Sequence, residues 1–400
     1  MIVGGGIGGA VLALVLGQRG HRVMLLERDL NPHAIGRPEI LAQATMDVFD
    51  QLGVGERIKQ EAALPLRGLE LWRAGGQRLL ALTADEFRSV GAQPYSTDPA
   101  RTRQILLEEA EALPSVQLKR GVEVDELLQE GQRVVGVRAH SSGEHFSISA
   151  CLVIGDDGGR SRVRECLGIP LKTATFPLDF LCAAGPMLPG QSEGVGQAWI
   201  QPDSIRNGIF GGIFLPLPAS RTALVFLLSS RAYEDFARQD TSRLFDAAAR
   251  LSPRCESLAK RYRFPEDFAC LRRPFGHAPA YVADGAALLG DAVHPVTPAG
   301  GQGANMSVAD AVVLADVAHE ALKIGDCSKQ RLARYETIRR PANQRSLQFS
   351  ARTARVLRVL RLCPWLAPLV TMWLGSVDRQ PQMKRRLVRA VSQAFRSQEN

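Results

Sequence analysis

The chain opens on a glycine turn set between a short apolar strand and an apolar helix, an order that few folds accept. Met1-Ile2-Val3 runs into Gly4-Gly5-Gly6-Ile7-Gly8-Gly9, so Gly4, Gly6 and Gly9 match G-x-G-x-x-G. Ala10 to Arg19 reads as a helix ended by Gly20, His21 to Leu26 reads as a buried strand, and Glu27 closes that strand. Strand, glycine turn, helix, strand and acid make a dinucleotide-binding unit. Gly4 permits the tight turn, Gly6 lets a pyrophosphate approach the positive end of the helix, and Gly9 lets helix and strand pack closely. Glu27 is placed to accept hydrogen bonds from an adenosine ribose. Only three residues precede the first glycine, where about five are usual in a strand. The start is therefore expected to cost some sheet pairing, and it leaves no room for a signal peptide.

Two later segments repeat the pattern of a buried strand followed by an acid-and-glycine turn. Leu152-Val153-Ile154 leads into Gly155-Asp156-Asp157-Gly158-Gly159 and a basic helix start. Ala287-Leu288-Leu289 leads into Gly290-Asp291-Ala292-Val293-His294-Pro295, then Val296-Thr297-Pro298-Ala299-Gly300-Gly301-Gln302-Gly303-Ala304-Asn305. Helical apolar spacing follows from Met306 to Leu322. Asp291 can accept a hydrogen bond from a ribityl or ribose hydroxyl. The N–H groups of Gly301 to Asn305 sit at a helix start, where a negative flavin edge would be stabilised.

These three segments, in this order, resemble the class A flavoprotein monooxygenases, the para-hydroxybenzoate hydroxylase-like family. Tyr335-Glu336 and Arg339-Arg340-Pro341 are similar to that family's helical end, with some likeness to its ubiquinone-biosynthesis hydroxylases. The resemblance implies an α/β fold: a Rossmann-like FAD-binding domain with an inserted β-sheet substrate domain and a C-terminal helical segment. Domains are expected at 1–170 with 270–345 (FAD), 171–269 (substrate sheet) and 346–400 (basic amphipathic helical tail). The implied FAD contacts are Gly4, Gly6, Ile7, Gly8, Gly9, Glu27, Arg28, Arg37, Arg103, Val124, Asp157, Asp291, Pro298, Gly300, Gly301, Gln302, Gly303, Ala304 and Asn305.

Several of these residues carry a second reading. Gly155-Asp156-Asp157-Gly158 departs from the family's Gly-Ala-Asp-Gly, and Asp157, aligned with the family aspartate, could instead cap a helix. Arg101 competes with Arg103, Arg37 reads also as a solvated loop residue, and His294 beside Pro295 reads as structural rather than as a base. The resemblance further implies NADH or NADPH as reductant, O2 as oxidant and an aromatic or quinone-like substrate. The ring would be hydroxylated or epoxidised through a flavin C4a-hydroperoxide, with no covalent catalytic side chain. A prenyl-chain reductase or a non-oxygenating FAD oxidoreductase is the alternative, although His294-Pro295 and Gln302 depart from the reductase pattern.

In the middle of the chain, Ile209 to Leu217 and Ala223 to Ser229 read as a hairpin around Pro216 to Arg221. Phe210, Phe214 and Phe226 serve equally as pocket lining or core. The net charge of +8 is local: Ala351 to Asn400 holds ten Arg and Lys against Asp378 and Glu399, leaving the other 350 residues neutral. No nucleic-acid motif accompanies this excess. Leu362 to Gly375 is uncharged, carries Trp365 and Trp373, and is interrupted by Pro364 and Pro368. It is too short to span a bilayer. Peripheral membrane contact through residues 352–390 and an ordinary packed helix are equally expected. Seven scattered cysteines, none in a C-x-x-C pair, predict neither a metal site nor a disulfide framework and fit a cytoplasmic setting.

Overall fold

The computed structural model describes the whole chain except residues 31–37, 207, 238–240, 253, 256–261, 263–266, 273, 299 and 396–400. Arg37 therefore lies outside the described residues. The first strand is short, Ile2–Val3, yet it sits between two longer neighbours. Ile2 pairs with Ile154 on one side and with Leu25 on the other, both in parallel. The sheet runs Val282–Ala283, Ala286–Leu288, Val153–Gly155, Ile2–Val3, Val23–Glu27, Val116–Arg120. All neighbours in it are parallel except the first pair. Each glycine-bearing segment thus leaves the carboxyl end of one of three adjacent strands, where parallel sheets bind ligands.

The helix Ile7–Gln18 is apolar on every side because it is covered on every side. It lies on the sheet and packs against the helices Pro99–Glu111 and Gly303–Ile324.

A second, largely antiparallel sheet holds Ala269–Leu271, Asp179–Pro186, Arg221–Leu228, Ile209–Leu217, Val195–Ile200, Gly68–Arg73 and Arg78–Thr83, in that order. It reaches beyond the expected span of 171–269: two strands come from residues 68–83, and Gly68–Arg73 joins Val195–Ile200 in parallel. The hairpin forms as Ile209–Leu217 and Arg221–Leu228. Alternation along these strands separates two faces. Phe214 and Phe226 are fully buried edge to face, their centroids 6.2 Å apart, in a core with Leu244, Phe245 and Leu251. Their neighbours Ile213, Leu215, Val225 and Leu227 face a cavity instead.

A buried polar cluster locks the third glycine segment to the long helices. Asp310 lies on Gly303–Ile324 and is fully buried. Its carboxylate accepts from Arg339 Nε (2.7 Å), Asn343 Nδ2 (3.0 Å) and the Gly290 N–H (3.3 Å), and it pairs with His294 Nε2. His294, 1% exposed, is therefore a structural residue. Tyr335 donates its hydroxyl to the Leu288 carbonyl at 3.1 Å, and Glu336 accepts from the Tyr281 N–H at 2.9 Å. Burial by itself would raise the Asp310 carboxyl, but His294 and Arg339 override it and hold it well below the usual range.

Removing one partner of such a buried ion pair leaves a stranded charge, so Arg339→Ala should cost about 3–5 kcal/mol, read by urea unfolding. A carboxyl depressed in the native state stabilises fully above the unfolded value of about 4, and loses that contribution as pH falls toward the native value. The acid limb of unfolding should therefore flatten in Asp310→Asn. An unaltered limb would mean that Asp310 does not govern acid stability.

Candidate active site

Two cavities flank the loop that runs from Val296 to Ala304. The first is a cleft of about 800 Å³. It is lined by Gly6, Ile7 and Gly8 from the first turn, Asp156 and Gly158 from the second, and Asp291, Pro298, Gly301, Gln302, Gly303 and Ala304 from the third. Arg103 closes it from the helix Pro99–Glu111, whose start is capped by the Asp98 side chain. The second is a chamber of about 1130 Å³ beneath the mixed sheet, walled by aliphatic side chains such as Leu71, Leu82, Ile213, Leu215, Val225 and Leu227. Pro38, Leu271, Pro298 and Gly301 line both. The two spaces therefore share a wall made partly by the third glycine segment.

The first turn is as tight as the sequence requires. Gly4 adopts φ +101°, and a Cβ there would stand 2.3 Å from the Asp156 carbonyl oxygen. A Cβ on Gly9 would stand 2.3 Å from the Gly4 carbonyl. Neither position admits a side chain without backbone movement. Glu27 lies under the turn, accepting the Gly5 N–H and the Asp29 N–H, each at 2.9 Å. Arg103 reaches Glu27 at 3.5 Å and keeps its Nε buried without a partner. Arg101 points away, bound to Glu61 and Glu108, so of the two competing arginines Arg103 faces the cleft. Gln302 likewise holds its Oε1 buried and unpartnered.

Other residues named from the resemblance stand back from the cleft wall. Arg28 is two-thirds exposed and pairs with Asp29 and Glu123. Val124 is buried in the strand Glu123–Glu130. Gly300 lines the chamber. Asn305 acts as a clasp: its amide donates to the Ile40 and Gly301 carbonyls at 2.8 and 3.0 Å, and its oxygen accepts from the Ala42 N–H at 2.9 Å. Asp157 Oδ2 accepts the Val163 N–H at 3.0 Å, in the first turn of the helix Arg162–Cys166, whose cap is Ser161.

Sequence reasoning missed Asp156 as a cleft residue, because it aligned Asp157 and treated its neighbour as an extra charge. Asp156 Oδ2 accepts the Gly9 N–H at 2.6 Å, at the start of the first helix. Burial of this carboxyl, with Asp291, Asp157 and Asp310 around it, pushes it well above the usual carboxylate range. Glu70 and Gln197 were also missed; they line the chamber and bond to each other at 2.8 Å. Glu70 further accepts from Trp72 Nε1 at 3.1 Å. A lone acid between the apolar residues Leu69 and Leu71 was the available signal. Far from both cavities, Asp125 pairs with His140 at 2.9 Å and His145 at 3.3 Å, and the hydrogen bond from His140 holds its carboxyl below the usual range.

The residues fit a dinucleotide. A glycine cradle that excludes any Cβ and a helix start directed at the cleft describe a site shaped for an anionic group, and the unpartnered Arg103 donor and Gln302 acceptor call for a polar ligand. Fold and cleft define a dinucleotide-binding α/β protein with an adjoining apolar chamber. The family profile described as FAD binding domain matches residues 1–350, and the chain belongs to the FAD-dependent monooxygenase family. Ubiquinone hydroxylase UbiL of Rhodospirillum rubrum is 27% identical, over 97% of this chain and 88% of that protein. The 3-demethoxyubiquinol 3-hydroxylase of Escherichia coli is also 27% identical, over 95% and 96%. The crystal structure of p-nitrophenol 4-monooxygenase PnpA from Pseudomonas putida DLL-E4 superposes with a TM-score of 0.81 at 20% identity, covering 98% of this chain and 97% of that one.

An ionised Asp156 would set a negative charge at the helix start, against any diphosphate held there. Rising pH should therefore weaken FAD retention in the wild type, whereas Asp156→Asn should retain it independently of pH. Where Asp156 is ionised, the variant should bind about tenfold tighter, ~1.4 kcal/mol. Fluorescence of released flavin measures both, and parallel pH profiles for the two proteins would remove this role from Asp156.

Proposed function

We propose that this chain is a single-component flavin monooxygenase acting on an aromatic or quinone-like ring that carries an aliphatic portion, with NADH or NADPH as electron donor and O2 as oxidant. The observation that carries the reading is the shared wall of cleft and chamber at Pro38, Leu271, Pro298 and Gly301. A cofactor in the cleft and a substrate in the chamber would then meet across one loop. The relatives whose names specify ubiquinone or ubiquinol support a quinone-like ring.

When bound, FAD supplies the redox chemistry and oxygen activation that no side chain here provides. The protein's part is to hold, orient and exclude water. The backbone at Gly6 to Gly8, at the start of the first helix, would take the pyrophosphate. Glu27 would accept from ribose hydroxyls, and Arg103 would direct its unpartnered Nε toward the cofactor. Asp291 would hold the ribityl chain. The N–H groups of Gln302 to Ala304 would meet the electron-rich edge of the flavin ring at the start of the helix Gly303–Ile324. In the chamber the aliphatic walls displace water from the reacting ring. Glu70 and Gln197 are polar groups on that wall able to orient a ring hydroxyl or carbonyl.

Purified protein should be yellow. Its NAD(P)H oxidation should accelerate with an alkylated phenol or quinol, giving one oxygenated product per NAD(P)H. Substrate reduced rather than oxygenated would favour the reductase reading. Asp291→Ala should lower flavin content; unchanged content counts against that assignment. Ala198 lines the chamber, and Ala198→Trp should raise KM by about tenfold for a ring bearing a long alkyl chain, and less for the bare ring. Equal losses for both substrates would place the chain elsewhere.

A further inference from the structure

The last two helices present two different faces. Inward, Ala367–Asp378 and Pro381–Phe395 are fastened to the body of the protein. The Asp378 carboxylate accepts the Ala81 N–H at 2.9 Å, and Lys384 lies 3.1 Å from Asp378 and 3.6 Å from Glu86. Leu387 and Val388, on the last helix, form part of the chamber wall. Arg206 caps the end of the preceding helix Lys329–Leu362 by donating to the Arg361 and Leu362 carbonyls at 2.7 and 2.8 Å. This segment is therefore a built part of the fold.

Outward, the same segment is apolar and basic. Leu362, Trp365, Leu369, Met372 and Trp373 are each more than half exposed. Leu369, Met372, Trp373 and the exposed Ser376 share one helix face by their spacing of three and four. On the preceding helix, Val356 and Val359 continue the apolar strip beside the exposed Arg352 and Arg355. The chain bends by 111° between the two helices, and no single helix among the described residues is long and apolar enough to cross a membrane. Arg361 and Arg379, on either side of the apolar segment in the chain, and Arg385 and Arg386 on the last helix are also exposed. No Asp or Glu occurs from residue 337 to 377. A solvated surface ordinarily mixes both charge signs. Large apolar side chains with two tryptophans, in a run of chain that carries arginines and no acids, complement an interface of acyl chains and anionic headgroups.

We propose that this outer face docks on an anionic lipid bilayer, and that the last helix, walling the chamber from inside, makes the chamber accessible to a ring substrate dissolved in that bilayer. Delivery rests on the monooxygenase reading above; docking does not. The arginines bring the surface to the headgroups, and the tryptophans and aliphatic residues enter the boundary layer. A substrate with an aliphatic chain then passes between two apolar phases without crossing water.

The test is sedimentation of FAD-loaded, full-length protein with vesicles of phosphatidylcholine alone or mixed with phosphatidylglycerol. Binding is expected on the mixed vesicles and should weaken with salt. Each of Arg352→Gln and Arg355→Gln should lower partitioning by about fivefold. The double variant Trp365→Ser/Trp373→Ser should lower it by about tenfold or more. Flavin content and turnover of a short-chain soluble substrate should stay at wild-type levels in all of them, which separates lost docking from lost folding. Failure of the wild type to bind the mixed vesicles, or variants that bind as well as it does, would overturn docking. So would a dimer in solution that the tryptophan variant dissociates, since a second copy of the chain would then be what covers the face. Vesicle binding is read without substrate, so its failure leaves the monooxygenase reading standing. Loss of turnover on soluble substrates alone would strike that reading instead.

Discussion

The structure depends on a close approach of backbone to backbone. Ile2–Val3 and Val153–Gly155 run side by side and release their chains at the same edge of the sheet. There the Gly4 Cα meets the Asp156 carbonyl with no room for a methyl group, and the Gly9 Cα meets the carbonyl of Gly4. A Cβ at either place would push the turns apart and with them the helix start they aim into the cleft. Everything further out, including Arg103 over the first turn and Asp291 beside the second, keeps its place because these turns are in contact.

A second constraint ties the third turn to the rest. Asp310 binds Gly290, His294, Arg339 and Asn343 at once, drawing the Gly-Asp segment and two long helices onto one buried carboxylate. A fully paired buried network of this kind is costly to form in part and rigid when complete. It fixes the loop from Val296 to Ala304 from one side, while Asn305 clasps it to Ile40 and Ala42 from the other. The loop can then serve as a wall common to cleft and chamber.

How much of this could be read from the sequence differs from residue to residue. The glycine turns were legible because their requirement is local: a strand, a sharp turn and a helix start each leave a mark within a few residues. The role of Asp310 was not, because its partners lie up to 33 residues away on other elements and an acid inside an amphipathic helix carries no mark of burial. Phe214 and Phe226 could not be assigned to core or pocket until the register of the hairpin set which face they share. The strands at 68–83 were missed as part of the second sheet because parallel pairing across more than a hundred residues has no local sign.

The sequence by itself determined that this chain carries three glycine segments of a dinucleotide-binding fold, belongs among the flavin monooxygenases, and carries its positive charge at one end. Those properties reside in backbone permissiveness and composition, which adjacent residues specify directly. Only the tertiary structure decided that Asp156 rather than Asp157 enters the cleft, that Arg103 rather than Arg101 faces it, and that the last helix walls the chamber. Each is a choice between neighbouring residues or opposite faces of one element. The direction of a side chain depends on what packs beside it, and here that partner comes from a distant part of the chain.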